Sequence, residues 1–196
     1  MRRFLALFAL LCAFLCTVSC SPTPPPAASE VLLAMETALT DSGQPLPDGT
    51  LRLTASPPDS PHHLTETLFS ALYGEAARGL LTGATGQTPP IGDAALYLSL
   101  SLSSAAGTRE LAVFRCSDLR TASTVAGLCR SRLDLLCRAA EGMAEDAATV
   151  NTVNTVNTVN TENAVKGAVV TEGCYVILAV AEDPAPAIKA ARRMIP

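Results

Sequence analysis

A chain of 196 residues, 48% hydrophobic and 16% charged, has enough apolar material for one globular domain with extensions. Its net charge of −4 at pH 7 gives no electrostatic basis for binding nucleic acid or anionic lipid. With no tryptophan, the chain has little stock for a platform that stacks bases or sugars.

The N-terminus reads as a secretory signal. Arg2 and Arg3 form a positive n-region, Phe4 to Leu15 an apolar h-region, and small and polar residues follow. The apolar run falls short of the ~20 residues of a membrane span. It ends in Thr17-Val18-Ser19-Cys20, which resembles the lipobox of bacterial lipoproteins. In that family the cysteine after a small residue is lipidated on sulfur and becomes the new N-terminus. Cys20 fits this role better than Cys12 and Cys16, which each follow a leucine. Thr17 departs from the usual aliphatic residue. The expected division is a signal at 1–19, a Pro-rich tether at 20–29 and a domain at 30–196. Ordinary cleavage and full secretion is the competing reading. Losing Arg2 and Arg3 leaves 12 of the 14 basic residues against 18 acidic ones, a mature charge of −6.

In the domain, Ser29 reads as the N-cap of a short helix, EVLLAMETALTD, stopped by Gly43. Residues 44–63 hold five prolines and read as irregular chain, with room for a brief strand at Thr50–Ala55. A second helix is expected over Leu64–Leu81, with Leu64, Leu68, Ala71 and Leu72 on one face and Gly74 as a weak point. From Leu96 the period becomes two. Leu96, Leu98, Leu100 and Leu102 alternate with Tyr97, Ser99, Ser101 and Ser103, predicting a half-buried strand with one hydroxyl face. Arg109–Cys116 returns as its hairpin partner.

Ser117–Ala140 is the longest helical pattern. Leu119, Ala122, Ala126, Cys129, Leu133, Leu136 and Ala140 make one apolar stripe, and Arg120, Arg130, Arg132 and Arg138 a basic side. Those arginines are the candidate partner-docking face, against an ordinary solvated surface with Asp134–Arg138 pairing. Thr149–Thr161 is a perfect three-residue NTV repeat, a period that fits neither a helix nor a one-sided strand, and reads as a tandem expansion in a surface loop. Ala168–Thr171 and Cys174–Ala181 form a second hairpin through Glu172-Gly173. The later strand is apolar on both faces and belongs in the centre of a sheet. Asp183-Pro184 opens a closing helix.

The expected fold is therefore α+β: a single small domain with an about four-stranded, mainly antiparallel sheet. Two hairpins build it (ββαββα), helices cover it, and short N-terminal helices precede it. This order resembles the bacterial lipoprotein family called domain of unknown function 4358. Glu110–Phe114 leading into Ser117-Asp118, Gly173–Leu178 leading into Asp183-Pro184, and Leu72-Tyr73-Gly74 carry the likeness. The repeat is no part of that pattern. The resemblance implies neither an activity nor catalytic residues.

Nothing in the sequence spells out a reaction. His62-His63 with Asp59 and Glu66 is the one metal or acid–base cluster to consider, and it lacks a fixed third ligand. GxSxG and HExxH motifs are missing. Cys116 ends one strand and Cys174 begins another, a candidate disulfide in an exported domain; burial as packed thiols is the reading it competes with. Cys129 and Cys137, eight residues apart near the buried stripe, are expected in core packing.

The leading expectation is a non-enzymatic binding module without metal or cofactor. It would be lipid-anchored (palmitate on Cys20) to the outer face of a bacterial cytoplasmic membrane, with an envelope protein or ligand as partner. A secreted hydrolase with a dispersed active site, or a metal- or solute-binding lipoprotein, is the alternative.

Overall fold

The structure, a computed structural model, describes residues 24–47, 50–55, 57–83, 87–99, 109–151 and 166–196, with 140–151 by backbone alone. Cys20 and most of the NTV repeat lie outside these residues. In chain order the elements are α1 (Ala28–Asp41), β1 (Leu51–Thr54), α2 (Glu66–Tyr73), a 3-10 turn (Glu75–Ala77), β2 (Ile91–Ser99), β3 (Arg109–Cys116), α3 (Leu119–Asn151), β4 (Lys166–Glu172), β5 (Tyr175–Ala181) and α4 (Ala185–Met194). They make one α+β domain, a five-stranded antiparallel sheet packed against four helices. The strand order is β1-β2-β3-β5-β4. The two expected hairpins supply four strands, and the brief strand in the Pro-rich region adds the fifth along the edge of β2.

Each face of the sheet has its own core. On one side α1 and α4 cover Ala95, Tyr97, Leu111, Val113, Ile177 and Ala179. On the other, α2 and α3 cover Leu96, Leu98, Ala112, Phe114, Val176 and Leu178. Both faces of β2 are thus occupied, which corrects the expectation of a half-buried strand. Tyr97 is fully buried, and its hydroxyl lies 2.7 Å from that of Thr50. The serines and leucines of 100–103 lie outside the described residues. β5 is buried along its whole length, as its two apolar faces require.

Local chemistry moved several boundaries. The second helix spans Glu66–Tyr73 only, because Gly74 takes φ +91 and turns the chain out of the helix. Its buried residues are Phe69 and Tyr73, while Ala71 is exposed. α1 starts at Ala28 with Ala27, not Ser29, as cap residue. The Glu30 carboxylate reaches back to accept the Ala27 N–H at 2.9 Å. α3 begins behind Asp118, whose carboxylate accepts the Thr121 N–H at 2.7 Å. Its buried residues are Ala122, Val125, Ala126 and Cys129, with Leu133 and Leu136 at the margin; Leu119 is exposed. α3 seats on β4 at Gly167, where a Cβ would stand 2.3 Å from Leu133 Cδ1.

Candidate functional site

An acidic residue interrupts the apolar face of β3. Glu110 is 1% exposed and points toward α3, where its burial demands partners. α3 supplies Arg132, whose Nε and Nη2 donate to Oε2 at 3.0 and 2.9 Å. The last residue of α2, Tyr73, donates its hydroxyl to Oε1 at 2.9 Å. The Tyr73 ring stands edge-on to Phe114 at 5.4 Å. Burial first, then the charge of Glu110, pushes the Tyr73 phenol well above its ordinary range, so it remains a donor. Cys129, one turn before Arg132, is fully buried and its thiol is likewise pushed up by burial. Both carboxylate oxygens are engaged, so the cluster fastens α2 and α3 to the sheet and presents no free base.

This corrects the docking face. Arg132 belongs to the interior, its side chain 10% exposed and spent on Glu110. Arg120, Arg130 and Arg138 stay on the outer surface of α3 with Asp134 and the exposed Leu135.

The tether end forms a second polar junction. The Tyr175 hydroxyl donates to the Pro26 carbonyl at 2.6 Å, and the Ala28 N–H donates to Asp93 Oδ2 at 2.8 Å. Two sheet positions, on β2 and β5 to either side of Arg115, thereby hold the chain as it enters α1. At the opposite end of α1, the Gln44 side chain exchanges two hydrogen bonds with the Asp183 backbone, at 2.8 and 3.1 Å. Arg109 caps the same loop through the Gln44 and Pro45 carbonyls.

An open groove of about 520 Å³ lies beside α1, lined by Glu30, Leu33, Ala34, Thr37, Ala38, Asp41 and Met194. Leu33 (63% exposed) and Met194 (41%) give it an apolar floor. Its two carboxylates sit far apart along the helix, with no base–nucleophile pair between them.

The histidine cluster does not assemble. Glu66 is occupied by the Gly79 and Leu81 N–H groups and the Thr82 hydroxyl. His62 is exposed, and His63 is tied to β1 by a backbone bridge to Thr54. Among the described residues no group of three or more His, Cys, Asp or Glu side chains could hold a metal ion.

The cysteines divide by position. Cys116 and Cys129 are buried, Cys137 and Cys174 partly exposed, and no disulfide joins Cys116 to Cys174 in the structure. Cys116 closes β3. Cys174 is the second residue of the Gly173-Cys174 turn rather than the first of β5, and its carbonyl accepts the Cys116 N–H at 2.8 Å. No described helix is long and apolar enough to cross a membrane.

Comparison of the chain with protein-family models, with curated proteins and with solved structures finds no match.

Proposed function

We propose that the chain is a lipoprotein anchored through Cys20 to the outer face of a bacterial cytoplasmic membrane, where it serves as a non-enzymatic binding module. The observation that carries the reading is Thr17-Val18-Ser19-Cys20 at the end of an apolar signal, followed at once by a proline-rich tether. The pinning of Pro26 and Ala28 to the sheet supports it, because a tether needs a firm attachment at its domain end. The likeness to the lipoprotein family of unknown function 4358 points the same way and names no ligand. For the partner, Arg120, Arg130 and Arg138, exposed along α3, suit an acidic protein surface of the envelope.

Substitution Cys20→Ala tests the anchor. Wild type is expected in the membrane fraction with metabolic palmitate label, and the variant without label; equal labelling of the two overturns the reading. In-situ cross-linking from positions 130 and 138 tests the binding face. An adduct that disappears when Arg120, Arg130 and Arg138 are reversed to Glu supports it, and the same adduct after reversal removes it.

A further inference from the structure

We propose that Cys116 and Cys174 form a cross-strand disulfide in the exported protein, locking the end of β3 to the β4–β5 turn. The inference rests on the extracytoplasmic reading, since such bonds persist outside the reducing cytoplasm. Its geometric basis is independent of that reading. β3 and β5 pair in the register Arg115↔Tyr175, so one step further places Cys116 directly opposite Cys174. The hydrogen bond from the Cys116 N–H to the Cys174 carbonyl fixes that step. Directly opposed residues of this hydrogen-bonded type have Cα atoms about 5.5 Å apart. That falls inside the window of about 4.4–6.8 Å that a disulfide spans. Cys116 belongs to the core beneath α3, and Cys174 sits in the β4–β5 turn beside it, only partly covered.

The exposures set the order of events. Cys174 is reachable at the turn, whereas Cys116 is buried and its thiol is pushed up to about 12, by desolvation first and then by the neighbouring Cys174. The Cys174 thiolate attacks a disulfide oxidant, releasing one thiol and forming a mixed disulfide. Cys116 then gives up its proton and attacks the Cys174 sulfur, releasing the second thiol. Two electrons pass to the oxidant, two protons leave, and one S–S bond replaces another. The covalent loop closed in this way contains α3, the NTV repeat and β4. The repeat is thus inserted inside a cross-linked segment, where a cut leaves the two halves of the sheet joined.

Trypsin separates all four cysteines, because arginines and lysines divide Cys116–Arg120, Thr121–Arg130, Leu133–Arg138 and Gly167–Lys189. The experiment is alkylation of the full chain in its native membranes, then non-reducing digestion and mass spectrometry. The expected product is Cys116–Arg120 linked to Gly167–Lys189, released by reductant and missing from Cys116→Ser. A signal-processed chain whose four thiols are all alkylated overturns the disulfide and leaves the anchor reading standing. An unprocessed chain in the cytoplasm overturns the anchor instead. Purified protein titrated with oxidised glutathione then decides the pairing: the same linked peptide sustains it, while a mixed disulfide at Cys174 or a bond to Cys129 removes it.

Discussion

Glu110 is a carboxylate in an interior where either charge alone would be unstable, so it exists there only as part of a set. Removing Arg132 leaves that charge buried without its cation. Arg132→Ala is expected to lower the unfolding free energy by about 3–5 kcal/mol in denaturant titration. Arg130→Ala, two residues earlier on the open surface, should change it by less than about 0.5 kcal/mol. Equal effects would show that Arg132 is not buried with Glu110. Tyr73→Phe should fall between the two, at about 1–3 kcal/mol, because Oε1 then loses its donor. Asp118 acts differently, at an exposed helix start. The Thr121 N–H first, and then the Ser117 hydroxyl, hold its carboxyl below the ordinary Asp range. A lowered folded-state pKa favours the ionised form in the fold. Its contribution is therefore complete above the ordinary Asp range and lost as pH falls through the lowered value. Asp118→Asn, which keeps a capping oxygen, should flatten that acid limb in denaturant midpoints taken from neutral pH downward; an unchanged limb would assign it to other carboxylates.

Elements depend on fit more than on composition. α3 rests on β4 where the sheet offers no side chain, at Gly167 beneath Leu133. Gly167→Val should destabilise by about 1–3 kcal/mol through overpacking. Leu133→Ala in the same chain should recover part of that loss in a double-mutant cycle, and strict additivity would refute the contact. This level also shows what the sequence could and could not reveal. The two hairpins and the non-edge place of β5 were legible, because alternating or doubly apolar runs report burial directly. By contrast, β2 starts earlier, at Ile91, and the long helix runs past Ala140 to Asn151, into the first residues of the repeat. The second face of β2 was not legible, since Tyr97 and Ser99 look like a wet face until α1 covers Tyr97. Arg132 was grouped with its neighbours because helical spacing gives direction, not partner. Its signal is Glu110, an acidic side chain at the head of the apolar run of β3, which calls for a cation from across the fold. Cys116 and Cys174 stand out from strand ends alone, whereas the hydrogen bond between their backbones is visible only in the fold.

At the scale of the whole molecule, the sheet separates two apolar cores, and the covering helices reach them from opposite sides. The junction at Pro26 has a consequence for where such a domain can stand. Only six peptide links separate Cys20 from the carbonyl that Tyr175 holds. Proline-rich chain advances about 3.1 Å per residue, so on the anchored reading such a leash would reach about 19 Å. On that reading, the end of the domain that carries Tyr175, Asp93 and the β4–β5 turn hovers less than its own width above the headgroups. The opposite end, with the start of β3 and the entry to α4, faces away. A partner must then already be resident at the membrane or reach down to it, because the domain cannot rise to meet one.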